Sequence, residues 1–186
     1  MTRLAVSMLA LLAAGAVVAQ TSLSLRPGAS EVGFVARRFG VPTASGQFEH
    51  YDGVVALDFA RPERSRIRIT IETASLHTGT ALVDDFIKGD SMLDAAHHPL
   101  ASFTSDSVTR TGERSLTIQG RLTIRAVTHP VAATAVAEDD VGMAERSGRL
   151  QFRASAAFSR SAFGIGREVN VVDDQVEIAI KGRLGQ

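Results

Sequence analysis

The sequence predicts an all-β fold: about eight antiparallel strands forming a barrel or sandwich, elaborated by one short helical insert. Three observations carry this. Apolar residues alternate with polar ones over most of the chain, as in Ile67-Arg68-Ile69-Thr70-Ile71-Glu72 and in Leu150, Phe152, Ala154, Ala156 and Phe158. Period-2 alternation marks half-buried antiparallel strands. The runs are short and separated by Gly, Pro and Asp turns, which favours up-and-down connection. Only one stretch, between Ile71 and Ala101, breaks the alternation with helical periodicity.

In chain order, Val32–Ala36 reads as a strand stopped at Gly40-Val41-Pro42. Residues 45–59 read as a long strand bent at Asp52-Gly53, with Val55, Leu57 and Phe59 on one face. Strand Ile67–Glu72 follows the Arg61–Arg64 turn. The insert then predicts a helix over 80–88, with Thr78 or Thr80 as its cap, Leu82, Val83, Phe86 and Ile87 as its apolar face, and Gly89 as its stop. Asp84 and Asp85 read as a solvated face or as partners for Arg37, Arg38 or Lys88. Strands over 101–108, 115–125 and 128–138 precede a polar loop, residues 139–148. Strands over 150–158 and 176–180 end the pattern.

Composition bounds the function. Residues 1–19 read as a secretory signal peptide: Arg3, the apolar run Leu4–Val18, then small residues before Gln20. This makes 20–186 a single exported domain, periplasmic or secreted, without stable membrane insertion. Cysteine is absent, so neither disulfides nor a lipid-bearing cysteine enters the fold. The formal net charge of zero offers no electrostatic reason to bind nucleic acid or anionic lipid. Aromatics are only 5% of the chain while alanines recur in strands (Ala132, Ala133, Ala135, Ala154, Ala156, Ala157, Ala179), so the interior is either tightly closed or left open as a lumen. Ten CH₂ groups buried in such a lumen would supply roughly 8 kcal/mol before ordering costs.

No catalytic set, metal site or cofactor site is expected. Ser75 and His77 lack a G-x-S-x-G elbow, Asp84 and Asp85 diverge on a helix, and His97-His98 lack ligand spacing. Gly164-Ile165-Gly166 lacks the third glycine of a dinucleotide loop.

An ordered set of motifs resembles the YceI-like family of exported, lipocalin-like proteins associated with polyisoprenoid binding. The set comprises Ser30-Glu31-Val32-Gly33-Phe34, Gly46-Gln47-Phe48 to Gly53, Ala74–Gly79, Asp84–Lys88, Met92-Leu93-Asp94 before His98-Pro99, Gly120–Val131 and Ser159–Ile165. The resemblance implies an eight-stranded lipocalin-like barrel around a long apolar channel that holds an isoprenoid or quinone-like lipid. Met92-Leu93 stand where the family commonly has paired aromatics, His98 where it often has an aromatic, and Ala126 where it often has glycine.

Strand parity then predicts the channel wall: Phe34, Ile67, Ile69, Ile71, Phe103, Leu116, Ile118, Leu122, Phe152, Phe158 and Ile178. Phe86, Leu93 and Phe163 are expected to close one end, and a polar head to meet Arg38 or Asp85 near the insert, beside Arg37 and Lys88. The expected partner is an elongated apolar lipid, with a homodimer as a further possibility. Two alternatives stand beside this reading: an enzyme or accessory factor of membrane electron transfer that uses the insert, and a stress-response protein with a filled barrel.

Overall fold

A computed structural model describes residues 21–185. Residues 1–19, the expected signal peptide, lie outside the described residues. Eleven strand segments form one antiparallel sheet: β1 (Thr21–Leu25), β2 (Ser30–Arg38), β3 (Val41–Phe48), β4 (Tyr51–Leu57), β5 (Arg66–Glu72), β6 (Leu76–His77), β7 (Leu100–Arg110), β8 (Ser115–Ile124), β9 (Val127–Ala137), β10 (Arg149–Ser159) and β11 (Gln175–Gly185). Two helices join them, α1 (Ala81–Lys88) and α2 (Val141–Ser147).

The segments run as eight staves, because β1 continues into β2, β3 into β4, and β5 into β6. The sheet closes where β11 pairs with β2 over Val176–Gly182 and with β1 at Ser24–Gly185. The result is an eight-stranded antiparallel barrel, which removes free sheet edges. At Gly182 the first stave kinks past β11. A Cβ there would sit 2.4 Å from Ser30 Cα, and φ is +135°, so the crossing requires glycine.

Connections alternate between two ends. The insert end carries the β2–β3 turn, the β5–β7 insert with α1, the β8–β9 turn and the β10–β11 loop. The hairpin end carries the β4–β5 and β7–β8 turns and α2. One buried cluster joins Leu23, Leu25, Val32, Val55, Leu57 and Leu184 to Ile67, Val108, Ile118, Ala144 and Leu150, so it draws on β1, β2, β4, β5, β7, β8, β10, β11 and α2. A second, built on Leu76, Met92, Leu93, Phe158, Phe163 and Ile165, seals the insert end.

Four expectations change. A strand, β1, precedes the one expected first; Leu23 and Leu25 alternate within it and are 1% exposed. The long strand breaks at Glu49-His50, whereas Gly53 stays in register opposite Ile69 and Leu25. Val41 and Pro42 belong to β3, since the turn is made by Phe39 and Gly40, both at positive φ. The expected loop over 139–148 contains α2, capped by Asp140 Oδ1 accepting from Met143 N (3.0 Å) and ended by Gly148 in the left-handed region.

The β8–β9 hairpin turns on Arg125 (φ +51°) and Ala126 (φ +61°), with Ile124 paired to Val127. Two consecutive left-handed residues make a type I′ turn, where a side chain costs energy that glycine does not. Ala126→Gly is expected to raise stability by about 1 kcal/mol, read as a higher urea midpoint at unchanged slope.

Candidate ligand channel

Inward-facing positions of the staves line a continuous cavity of about 440 Å³ that reaches both ends of the barrel, and its wall is almost wholly carbon. Thirteen of the residues assigned to it by parity or by the insert do line it: Phe34, Ile67, Ile69, Ile71, Phe86, Leu93, Phe103, Leu116, Ile118, Leu122, Phe152, Phe158 and Ile178. Many of these are only half-buried although they point inward, because the lumen itself exposes them.

Small residues keep the lumen open. Ala133 faces Ala156 and Ala135 faces Ala154 across β9 and β10, and all four line the cavity. Ala132, Ala157 and Ala179 point outward and are exposed. Gly120 lies under the Phe103 ring, where a Cβ would meet Cζ at 2.4 Å. That seat lets the phenylalanine lie against the wall.

The insert covers one end. Helix α1 spans Ala81–Lys88 with Thr80 as N-cap and Gly89 as its stop, and Val83, Phe86 and Ile87 face the cavity. Thr80 holds the N-cap position without a side-chain capping bond, and Asp84 is not solvated. Asp84 is 7% exposed and its carboxylate accepts from Thr78 N (2.7 Å), Thr78 Oγ1 (2.5 Å) and His77 Nδ1 (3.0 Å). The Thr78 hydroxyl bond leads the effects that hold this carboxyl below its usual range. Asp84 therefore pins the entry to the helix.

Three of the assigned residues lie outside the lining. Phe163, 2% exposed in the short 3-10 turn after β10, is part of the buried cluster that seals the insert end. It packs edge-on against His129 and Phe158. Arg38 donates to Asn170 O (2.5 Å) and stacks over the Phe39 ring. Asp85 is on the exposed face of α1. The nucleophile–base pairing also fails: Ser75 Oγ donates to Glu72 O (2.7 Å) while His77 is held by Asp84.

Sequence reasoning missed Arg160. It is 6% exposed, and its guanidinium donates to the carbonyls of Ile165 (3.0 Å), Gly166, Val169 (2.5 Å), Val172 (3.3 Å) and Asp173 (3.1 Å). This wraps the 160–174 loop into a lid whose Ile165, Val169, Val171 and Val172 line the cavity. Beside it, burial pushes the Asp174 carboxyl up, but bonds from Ser159 and Ser161 and the Arg160 charge outweigh this and hold it low.

The YceI-like domain family matches residues 23–184, the whole barrel. The chain belongs to the YceI-like family. A UPF0312 protein of Pseudomonas savastanoi pv. phaseolicola is 32% identical over 157 residues, covering 84% of this chain and 82% of that protein. The crystal structure of Burkholderia cenocepacia BcnA superposes with a TM-score of 0.73 at 25% identity, covering 83% of this chain and 94% of that one. A polyisoprenoid binding domain from Saccharophagus degradans, implicated in plant cell wall breakdown, shares the fold with a TM-score of 0.66 at 12% identity, covering 89% and 98%.

In this YceI-like barrel the insert and the lid are stitched together by main-chain contacts. Gly166 N donates to Ser91 O (2.8 Å), and Arg125 Nη1 donates to Met92 O (3.0 Å) and Gly164 O (2.8 Å). Asp94, at φ +49°, accepts from His97 Nδ1 at 2.7 Å and lies 3.7 Å from His98 Nε2 and 3.9 Å from Arg125 Nη2. The bond to Asp94 raises the His97 pKa, and the same bond leads the effects that lower that of Asp94.

The contribution of His97 is complete below its unfolded value of about 6.5 and is lost as pH rises through the raised folded value. That of Asp94 is complete above about 3.9 and is lost as pH falls through its lowered value. The His97 ring signals in an NMR titration should therefore turn at a pH above 6.5, and Asp94→Asn should bring that midpoint down.

Proposed function

We propose that this chain is an exported binding protein that holds an elongated isoprenoid or quinone-like lipid in the barrel channel for transport or storage. The observation that carries the reading is the cavity itself: apolar along its length, open through the sheet's interior, and within the roughly 300–1,000 Å³ range of small-molecule sites. The family's association with polyisoprenoids and the S. degradans domain's description support the guest class. The N-terminal apolar run supports a periplasmic site of action. Among the described residues no helix is long and apolar enough to cross a membrane.

The test is organic extraction of protein purified from its native compartment, followed by mass spectrometry and by reloading with prenyl lipids. Prenyl or quinone lipids should be recovered from the wild type. Ala135→Phe with Ala156→Phe fills the lumen from the alanine seam and should remove uptake while leaving the thermal midpoint within a few degrees. Empty wild-type protein that takes up no prenyl lipid would refute the reading.

A further inference from the structure

Two segments at the insert end hold large apolar side chains out in water. Phe39 in the β2–β3 turn is 86% exposed, with exposed Val41 two residues on, and Leu82 in the first turn of α1 is 79% exposed. None of the three lines the channel, so this exposure is outside the barrel. Both segments adjoin residues of the channel mouth. Leu82 and Phe86 stand four apart on α1, hence on one face, and Phe86 lines the channel. The Arg38 guanidinium lies 5.2 Å from the centroid of the Phe39 ring and donates to Asn170 O (2.5 Å). The next residue, Val171, is exposed and lines the channel. Apolar surface thus runs from the outer tips into the bore.

Folding does not account for Phe39. Its φ of +51° lies in the left-handed region, where a bulky side chain costs energy that glycine does not, and its ring buries almost nothing in return. A strained residue held in water points to a contact made outside the chain. The charges nearby select no partner of one sign. Arg38, Lys88 and Arg167 stand against Asp85, Asp90 and Glu168, while Arg37 pairs with Glu177 (3.1 Å) and Asp173 accepts from Phe39 N (3.2 Å). Phe39, Val41, Leu82, Phe86 and Val171 together offer roughly 500 Å², short of the ~800 Å² that a standard protein interface takes from each partner. Separate apolar tips over a charge-balanced rim fit a surface that yields around them.

We propose that the insert end docks on a phospholipid bilayer, with Phe39, Val41 and Leu82 entering the boundary between headgroups and acyl chains and Arg38 at headgroup level. The channel mouth then opens against the acyl layer instead of water. This builds on the channel reading above only for what passes through the mouth; docking itself requires no guest. The attachment is peripheral and driven by carbon, so it needs no anionic lipid.

Flotation of the full-length mature protein with vesicles of phosphatidylcholine, alone or mixed with phosphatidylglycerol, tests this. The wild type should float with both, at affinities within about threefold of each other, and added salt should change neither by more than about twofold. Phe39→Gly with Leu82→Ser should weaken vesicle binding by about tenfold or more. Phe39→Gly alone should keep or raise the thermal midpoint. Val54→Ser, which removes an exposed apolar side chain from β4 outside the rim, should leave vesicle binding unchanged. The chain has no cysteine, so an environment-sensitive dye on Leu82→Cys reports immersion: its emission should shift to the blue on vesicles, and that of a dye on Val54→Cys should not. Wild-type protein that ignores both vesicles, that floats only with the anionic ones, or that floats no better than the rim variant would overturn the docking. So would a dimer in sedimentation that the rim variant dissolves, since the tips would then serve a second copy. Failure on vesicles with lipid still recovered by extraction would leave the channel reading standing, and docking by protein that extracts empty would refute that reading alone.

Discussion

Replacing Arg160 by leucine is expected to cost about 3–5 kcal/mol of stability and to loosen the lid. The side chain is buried, and all five of its donors go to main-chain carbonyls between Ile165 and Asp173. No strand ladder competes for those carbonyls, because the loop leaves the sheet after Ser159 and rejoins it at Gln175. Leucine fills part of the volume but leaves several carbonyls orphaned, each worth about 1–3 kcal/mol if it stays dry. Water entry and local melting of the loop then limit the total.

The signature is therefore double: a lower urea midpoint, and lost hydrogen-exchange protection at Gly166 N, which bonds Ser91 O only while the lid is in place. Arg160→Lys supplies three donors from one point and should recover only part of the loss. An unchanged midpoint together with unchanged protection of Gly166 would show that the guanidinium does not organise the lid.

That lid marks where legibility in the sequence ends. The strands were readable because a sheet converts alternation into two faces, so Ile67, Ile69 and Ile71, or Leu116, Ile118 and Leu122, announce one wall without further information. Helix α1 was readable from its apolar spacing and its glycine stop. Arg160 was not, because its partners are carbonyls, which every residue possesses; only the path of the folded loop aims five of them at one side chain.

Phe163, expected to close an end, belongs to the buried cluster at the insert end, but as the last residue of a 3-10 turn it lies outside the cavity lining. Helix α2 was legible in principle. Asp140 before an apolar residue and Gly148 after Ser147 are start and stop signals, but so short a helix has weak periodicity between them. Strand β1 was hidden by its position, directly after an apolar segment that reads as a signal.

The parity argument has a direct test at Ile69, where glutamate is expected both to destabilise the barrel and to abolish lipid uptake. Ile69 lines the cavity between Gly53 on β4 and Phe103 on β7. A carboxylate there meets no donor in the wall, so burial in the apolar lumen raises its pKa above the unfolded value of about 4.3. The sign follows. Below about pH 4 the glutamate is protonated in both states and costs little beyond lost packing. As pH rises past the unfolded value, the unfolded chain releases a proton that the folded chain retains, and stability falls until the raised folded value is reached. A shift of two to three units gives a loss of about 3–4 kcal/mol at neutral pH. Unfolding midpoints near pH 4 and pH 7 should therefore diverge in Ile69→Glu far more than in the wild type. Arg68→Glu, one residue away on the exposed face of the same strand, should shift either midpoint by less than about 0.5 kcal/mol. Equal behaviour of the two substitutions would mean that Ile69 does not face an apolar lumen, and the channel would lose the residue at the middle of its β5 wall.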